Sequence, residues 1–313
     1  MPDTLVIALG GNAITRPDEP GTIPQQFAHT AETLEHLKPL FHSGARIVIT
    51  HGNGPQIGNI LIRVEEGERR VPRLPVDTCV ADSQGGMGYM IQRLACELFR
   101  RERIRREVVT VITQVLVHAD DPEFGHPTKP IGPFYNVEQT GRLRVEKPHW
   151  DLHQIDSGHF RRVVPSPRPL EILEAGSIAA LLDAGVVVIA CGGGGIPVAW
   201  DGDTLAGVEG VVDKDFASSL LAARIRARKL IIVTSIDQVA IRFGRPDQRW
   251  LSRISLAEAR AHLAAGEFPP GSMGPKIAAG IEFLEQGGEE CIITSTEQAA
   301  RAVCGDAGTH IVC

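Results

Sequence analysis

Near its N-terminus the sequence reads Thr4-Leu5-Val6-Ile7-Ala8-Leu9-Gly10-Gly11-Asn12-Ala13. The run from Thr4 to Leu9 carries no charge, and a short continuous apolar run is typical of a strand that is buried on both faces of a parallel sheet. The run ends directly in two glycines, which mark a turn. The stretch therefore predicts a buried strand whose carboxyl end opens into a glycine loop.

Similar apolar runs alternate with longer segments of helical period along the chain. Further strands are predicted at Arg46–Thr50, Val108–Thr113, Val186–Ala190, Leu230–Thr234 and Cys291–Thr294. Helices are predicted at Pro24–Phe41, Val76–Arg101, Pro169–Ala184, Asp215–Ala227 and Pro275–Gln286. This alternation predicts an α/β fold in which a mainly parallel sheet is covered on both faces, with the ligand site at the carboxyl ends of its strands. A chain of 313 residues is long enough for two domains, but we expect one domain over 1–313 that shares one sheet.

The composition indicates a soluble globular protein. The chain is 43% hydrophobic and its formal net charge is only −6, which gives no electrostatic footprint for nucleic acid or for an anionic membrane. No apolar run approaches the ~20 residues that span a bilayer, and the first residues do not resemble an export signal. The six cysteines are scattered without a CxxC pair, so reduced thiols in a cytoplasmic protein are expected rather than disulfides or a zinc site.

The stretch from about Ala119 to Pro169 interrupts the alternation. It is rich in proline, glycine and histidine and has no long helical period. Because a structureless loop of this length is uncommon inside a compact domain, we expect an inserted, protruding subdomain (119–169) of short strands and turns, with Lys129 leaning over the active site. A disordered linker is the alternative, and the aromatic residues in the stretch argue against it.

Three predicted strands end in glycine-rich turns. The turns are Gly10-Gly11-Asn12, His51-Gly52-Asn53-Gly54-Pro55-Gln56 and Gly192-Gly193-Gly194-Gly195-Ile196-Pro197. Glycine allows backbone N–H groups to approach a ligand closely, so several such loops at one sheet edge form an anion cradle. Each loop taken alone is more often just an ordinary tight turn. Neither a dinucleotide-binding Gly-x-Gly-x-x-Gly nor a P-loop is present.

The lysines point to phosphoryl transfer. Only six of the 32 basic residues are lysine, and three of them, Lys129, Lys214 and Lys276, lie in segments rich in Gly, Pro or Asp. An ammonium is a compact point charge on a flexible stem, so it can follow a moving phosphoryl group, although the pattern also fits compositional drift. Phosphoryl transfer is mostly alignment and charge neutralisation, and an anionic acceptor needs no general base.

Seven motifs spread over almost the whole chain carry a family resemblance. They are Ala8 to Ala13, Thr50 to Gln56, Pro127 to Tyr135, Arg161 to Pro167, Gly192 to Pro197, Asp213 to Ser218 and Gly271 to Lys276. In this order they resemble the carbamate kinases of the amino acid kinase superfamily. The resemblance implies a three-layer α/β/α sandwich with a protruding subdomain, and a homodimer. It also implies the reaction ATP + carbamate ⇌ ADP + carbamoyl phosphate with Mg²⁺, usually run toward ATP.

The resemblance also implies roles for individual residues. The carbamoyl phosphate side, in the N-terminal half, would consist of Gly10, Gly11, Asn12, Gly52, Asn53 and Gly54. The catalytic set would be Lys129, closing from the subdomain, with Lys214 and Lys276 on the transferred phosphoryl group and Asp213 orienting the lysines. The nucleotide side, in the C-terminal half, would include Thr234, Ser235, Asp237, Ser272, Met273 and Lys276. Metal ligands from the protein are not expected.

Some assignments remain open. Asp215 is also explained by simple charge pairing with Lys214 at a helix start, and His51 is more typical of a packed residue at a strand end than of an acid or base. The stretch Thr234-Ser235-Ile236-Asp237-Gln238-Val239 departs from the family pattern by the loss of one carboxylate. Two other functions compete with carbamate kinase: a sister kinase for another small acid, and a sensor that binds carbamoyl phosphate or nucleotide without turnover.

Overall fold

A computed structural model describes residues 2–16, 19–269 and 271–313. Its strands are β1 (Thr4–Leu9), β2 (Arg46–His51), β3 (Val108–Thr110), β4 (Gln114–Leu116), β5 (Lys129–Tyr135), β6 (Asp151–Asp156), β7 (His159–Val164), β8 (Glu171–Ile172), β9 (Val187–Ile189), β10 (Ile196–Asp201), β11 (Thr204–Gly207), β12 (Lys229–Thr234), β13 (Val239–Ile241), β14 (Arg249–Leu251), β15 (Arg253–Ser255), β16 (Glu290–Ser295) and β17 (Thr309–Val312).

The helices alternate with these strands. They are α1 (Ile23–His42), α2 (Gly54–Gly67), α3 (Val76–Glu102), α4 (Val137–Glu146), α5 (Ala175–Asp183), α6 (Lys214–Arg224), α7 (Leu256–Ala264), α8 (Met273–Glu285) and α9 (Ala299–Val303). Within the described residues, no helix combines the length and the apolar character needed to cross a membrane.

The main sheet has the strand order β15-β17-β16-β12-β1-β2-β9-β3 and is parallel except where β17 joins β16. The first apolar run, β1, lies in its middle between β12 and β2 and is buried along its whole length. Alternate side chains of a strand point to opposite faces, so Val6 packs with α5, α6 and α8, whereas Ile7 packs with α1, α3 and α9. The predicted three-layer α/β/α arrangement around a mainly parallel sheet is confirmed.

The strand predicted at Val108–Thr113 and the helix predicted at Pro169–Ala184 are both shorter in the structure. The predicted strand Val108–Thr113 stops at Thr110. The backbone N–H of Thr113 donates to the side chain of Gln84, at 2.9 Å from Oε1, instead of to a neighbouring strand. The predicted helix Pro169–Ala184 begins only at Ala175. The residues before it pair instead with β4, where the amide of Leu170 donates to the carbonyl of Leu116 at 2.8 Å.

The helix α2 was not predicted. It begins at Gly54 directly after β2, and its early glycines hide the helical period. One of them has a packing role: a Cβ added to Gly58 would lie 2.0 Å from Cα of Gly132 in β5. The helix and the strand therefore touch backbone to backbone.

The segment 119–169 forms its own antiparallel sheet in the order β5-β7-β6, apart from the main sheet. It also contains α4, a ten-residue helix where the sequence predicted only short strands and turns. The N-cap residue Asn136 and Gln139 form a capping box, so local side-chain bonds start this helix despite its weak apolar period. Two smaller sheets complete the fold, in the orders β11-β10-β4-β8 and β13-β14.

Candidate active site

A pocket of about 270 Å³ lies where the loops after β1, β2 and β9 meet the first turns of α6 and α8. It brings together the three lysines singled out in the sequence: Lys129 begins β5, Lys214 begins α6, and Lys276 lies in the first turn of α8. The rest of the lining is Gly11, Gly52, Asn53, Gly54, Pro55, Pro130, Arg161, Gly193, Val212, Asp213, Asp215, Gly271, Ser272 and Pro275.

Two aspartates hold these lysines in place. Asp213 is the N-cap of α6, where its Oδ1 accepts the backbone N–H of Asp215 at 2.8 Å, and its other oxygen contacts the ammonium of Lys129. The carboxylate of Asp215 lies between the other two lysines: Oδ1 contacts Lys214, and Oδ2 is 3.1 Å from Nζ of Lys276. Both Lys214 and Asp215 are buried, so the pair is fixed within the wall of the pocket.

The pKa shifts favour the ionised form of both aspartates. Burial raises the pKa of Asp215, but the charges of Lys214 and Lys276 outweigh it and hold that pKa well below its usual range. The pKa of Asp213 is likewise lowered, since Lys129 outweighs the effect of burial. Burial lowers the pKa of Lys214, whereas for Lys276 the two aspartates outweigh burial and raise the pKa. Three ammonium groups against two carboxylates leave an excess of positive charge for an anion.

The glycine loops approach their neighbours too closely for a side chain. A Cβ on Gly10 would lie 2.6 Å from the carbonyl oxygen of Val233. Gly193 has φ +66° and a Cβ there would lie 2.2 Å from Nδ2 of Asn53. Asn53 is 3% exposed and donates from Nδ2 to Oγ of Ser83 at 2.8 Å. The loop after β1 therefore packs against β12, and the loops after β2 and β9 pack against each other beside the pocket.

The other predicted residues of the carbamoyl phosphate side differ in placement. A Cβ on Gly11 would meet no atom within 4 Å, so the loop leaves space there, whereas a Cβ on Gly52 would lie 3.4 Å from Cδ of Lys214. Gly54 begins α2 at the mouth of the pocket. Gly10 is outside the lining, and the side chain of Asn12 lies outside the described part of the structure.

The predicted nucleotide side is only partly gathered at the pocket. Ser272 lines it, and its carbonyl oxygen accepts from Nζ of Lys276 at 3.4 Å. Thr234 ends β12, and Ser235 and Asp237 follow as exposed residues, all outside the pocket lining. Met273 starts α8 and packs partly against the core. Of the six residues predicted for the nucleotide side, Ser272 and Lys276 line the pocket and the other four do not.

Arg161 is a pocket residue that the sequence analysis did not single out. Its Nη2 donates to the carbonyl of Gly132 at 2.7 Å, and its guanidinium lies 5.0 Å from the centre of the Phe134 ring. Burial lowers its pKa to about 10, and its buried Nε has no hydrogen-bond partner among the described residues. The Arg161-Arg162 motif was visible in the sequence, but only the orientation of β7 decides which arginine faces the pocket.

A divalent ion could enter this site with a nucleotide. The described residues contain no cluster of three or more His, Cys, Asp or Glu side chains that would form a dedicated metal cage. Mg²⁺ is usually held by one or two carboxylates together with substrate phosphates, and Asp213 and Asp215 are carboxylates at the pocket. The donor set therefore fits an ion that arrives as part of a nucleotide substrate.

Comparisons with known proteins agree with this geometry. The sequence model of the amino acid kinase family matches residues 3–295. Carbamate kinase 2 from Staphylococcus aureus is 46% identical over 314 residues, covering 99% of each chain, and carbamate kinase from Pyrococcus horikoshii is 40% identical with the same coverage. Among solved structures, carbamate kinase from Giardia lamblia bound to AMP-PNP has a TM-score of 0.90 and 39% identity, covering 99% of this chain and 98% of that one.

Proposed function

The chain belongs to the amino acid kinase family and, within it, to the carbamate kinases, and we propose that its pocket transfers a phosphoryl group between carbamoyl phosphate and ADP, mainly toward ATP. One observation carries this proposal: three lysines from distant segments surround a single pocket, and two carboxylates hold them there. The pocket presents charge and backbone donors, which is what phosphoryl transfer needs.

The reaction requires no general base. The bond between phosphorus and the carbamate oxygen breaks, and a bond forms between phosphorus and a terminal oxygen of ADP. Carbamate leaves as an anion, so no proton has to move. Lys214 and Lys276 would neutralise the moving phosphoryl group, while Asp215 keeps their two charges at a fixed separation. Such preorganised charge is worth most in a pocket that excludes water.

The two substrates would occupy opposite sides of the lysines. We assign carbamoyl phosphate or carbamate to the loops with Gly10, Gly11, Asn12, Gly52, Asn53 and Gly54, and we add Arg161 as a further cation on this side. We assign ATP or ADP with Mg²⁺ to Thr234, Ser235, Asp237, Ser272 and Met273, together with Lys276. Mg²⁺ would reduce the charge of the nucleotide phosphates as they meet the donor.

We further propose that 119–169 acts as a subdomain that closes over the donor and brings Lys129 to it. The support is its separate sheet and the contact between Lys129 and Asp213. We also propose a cytoplasmic homodimer. Support for a dimer comes from the edge strand β3 beside two exposed side chains, Tyr89 and Ile112, which a second copy would cover.

The direct test is ATP formation by the purified protein from ADP, Mg²⁺ and carbamoyl phosphate. We expect turnover well above the spontaneous decay of carbamoyl phosphate, and slower turnover with acetyl phosphate as the donor. Lys38→Ala, which changes a lysine on α1 far from the pocket lining, serves as a matched control. If the folded protein binds carbamoyl phosphate without turnover, it is a sensor; if acetyl phosphate is the better donor, it is a sister acid kinase.

A further inference from the structure

We infer that Glu65 is a positioning residue for this reaction: it anchors the segment 119–169 on α2 and thereby sets Lys129 and Arg161 at the pocket. The inference rests on the proposed function. Glu65 does not line the pocket, so its effect would pass through the residues that do.

Glu65 is a buried carboxylate whose partners among the described residues all come from the segment 119–169. Its side chain is 6% exposed. Nη1 of Arg162 lies 2.8 Å from Oε1, Nε1 of Trp150 donates to both oxygens at 3.0 and 3.1 Å, and Nζ of Lys147 is 3.3 Å from Oε2. The guanidinium of Arg162 also stacks 4.5 Å from the Trp150 ring centre. One side chain of α2 therefore contacts two parts of the segment, the connection between α4 and β6 and the strand β7.

The position of Glu65 on α2 matters. Gly54, Gly58 and Glu65 are spaced so that they lie along one face of the helix, and all three face the segment. Gly54 lies at the pocket, and Gly58 touches Gly132 in the next turn. Glu65 is about 16 Å farther along the axis than Gly54, at ~1.5 Å per residue. The contact at Gly58 thus acts as a pivot, and the contacts of Glu65 fix the angle of the segment about that pivot.

The strand β7 connects this anchor to the pocket. Consecutive strand residues point to opposite faces, so Arg162 reaches Glu65 while Arg161 faces the pocket. In the pairing of β7 with β5, Arg162 is opposite Ile131 and Val164 is opposite Lys129. A shift of β7 relative to α2 would therefore move both Arg161 and Lys129.

The energetics of burial favour a positioning role for Glu65 over a role that only stabilises the fold. A buried ion cluster often stabilises a protein no more than well-packed apolar residues would, because its groups must lose their hydration. Such a cluster does impose one register, since each donor has to meet an oxygen. The pKa of Glu65 is lowered overall, as Arg162, Trp150 and Lys147 outweigh its burial, which agrees with an ionised anchor at neutral pH.

The experiment compares Glu65→Gln with Glu66→Gln, which alters the adjacent carboxylate, 74% exposed. We expect Glu65→Gln to raise KM for carbamoyl phosphate and lower kcat, with a combined loss of about tenfold to hundredfold, on the scale of a misplaced catalytic group. KM for ADP should stay within about twofold, because the nucleotide side is not attached to this anchor. Glu66→Gln should match the wild type. The inference is overturned if Glu65→Gln raises KM equally for both substrates, or if Glu66→Gln lowers activity as much as Glu65→Gln does.

A second measurement tests the route through Lys129. In a Lys129→Ala background, Glu65→Gln should cost much less than it does in the wild type, because residues that act as one unit are not additive. If Glu65→Gln lowers activity by the same factor in the Lys129→Ala background as in the wild type, Glu65 does not act through Lys129. If Glu65→Gln lowers Tm too far, Lys147→Met removes one charged partner of Glu65 at a partly exposed position and should shift the same parameters in the same direction.

Anchoring can also be measured without turnover, which separates this inference from the proposed function. Hydrogen exchange of the free protein should be faster over β5 and β7 in Glu65→Gln than in the wild type, and unchanged in Glu66→Gln. Unchanged exchange in both variants overturns the anchor. An inactive wild type with the expected exchange pattern would overturn the function and leave the anchor in place.

Discussion

The ammonium of Lys129 contacts the carboxylate of Asp213, although the two residues are 84 positions apart in the chain. Lys129 begins β5 in the segment 119–169, whereas Asp213 caps α6 in the C-terminal half. The ion pair thus spans the mouth of the pocket and ties the segment to the helix that presents Lys214. An incoming phosphoryl group would compete with Asp213 for Lys129.

Lys129→Ala should raise KM for carbamoyl phosphate and lower kcat together, while nucleotide binding stays nearly unchanged. The reason is that Lys129 belongs to a segment that closes on the donor and not on the nucleotide. Steady-state kinetics with each substrate varied in turn measures this, with Lys38→Ala as the control. A loss confined to the KM for ADP would contradict the assignment.

Closure of the segment 119–169 should also be visible in the wild type. Hydrogen exchange over these residues should slow when ADP, Mg²⁺ and carbamoyl phosphate analogue are bound together, because a mobile lid becomes ordered on its substrate. The same protection in the free and the bound protein would refute a lid and leave Lys129 as a fixed contact.

Lys214→Ala and Lys276→Ala should each lower kcat by about two to four orders of magnitude, on the scale of ~2.7–4 kcal/mol or more for a lost charge-stabilising donor. Arginine should restore little at Lys276, since a planar fork cannot follow the phosphoryl group as a point charge does, and the ammonium is already fitted against Asp215 at 3.1 Å. Single-turnover rates check this. Near-normal activity of Lys276→Arg would show that the point-charge argument is wrong.

Much of the sheet could be predicted from the sequence. The central strands β1, β2, β12 and β16 agree with their predicted ranges to within one residue at each end, because a strand buried on both faces is apolar throughout. The strand β3 was predicted too long, since the bond from Thr113 to Gln84 depends on where α3 packs. The helix α2 was missed because its glycines serve contacts with the segment 119–169 rather than helix propensity.

The candidate site, too, could be predicted only in part. The lysines could be predicted, because their residue type and surroundings differ from the rest of the chain. The joint contact of Asp215 with Lys214 and Lys276 could not, since the two lysines come together only when α6 and α8 are side by side. Arg161 was missed for a similar reason: a pair of arginines does not reveal which member the strand turns toward the pocket.

Asp215→Asn should lower kcat by about a hundredfold, because two neighbouring ammonium groups then lose their shared counter-charge. It should also move the alkaline limb of the rate profile to lower pH. Lys214 acts as an ammonium, so activity falls as pH rises through its pKa, which burial already lowers below 10.5. Removing the carboxylate takes away the main effect that raises this pKa, so the fall begins earlier.

The measurement is kcat/KM for ATP formation across pH, corrected for the decay of carbamoyl phosphate. Asp203→Asn, an exposed aspartate between β10 and β11, is the control and should leave the profile unchanged. An alkaline limb of Asp215→Asn that coincides with that of the wild type would mean that Asp215 does not set the charge of Lys214.

His51 should make stability depend on pH. It ends β2 beside the pocket, and its Nδ1 lies 3.1 Å from the carbonyl oxygen of Gly52, so the neutral ring donates there. Burial lowers its pKa to about 4, and the charge of Lys214 contributes, while the bond to Gly52 opposes the shift. The unfolded chain, with a histidine pKa near 6.5, therefore binds more protons than the folded protein between about pH 4 and 6.5.

Stability should therefore rise with pH across this window, and the contribution of His51 should be complete above about pH 6.5. At pH 4 the free energy of unfolding should be lower by about 3 kcal/mol than above pH 6.5 because of this histidine, at about 1.36 kcal/mol per pKa unit. Urea unfolding of the wild type and of His51→Gln at a series of pH values isolates this term, since carboxylate effects are common to both proteins. The difference between their free energies of unfolding should change across this pH window. The matched control is His42→Gln, at an exposed histidine in α1, and its free energy of unfolding should follow that of the wild type in parallel. Parallel curves for His51→Gln as well would show that the ring is protonated in the folded protein or that water reaches it.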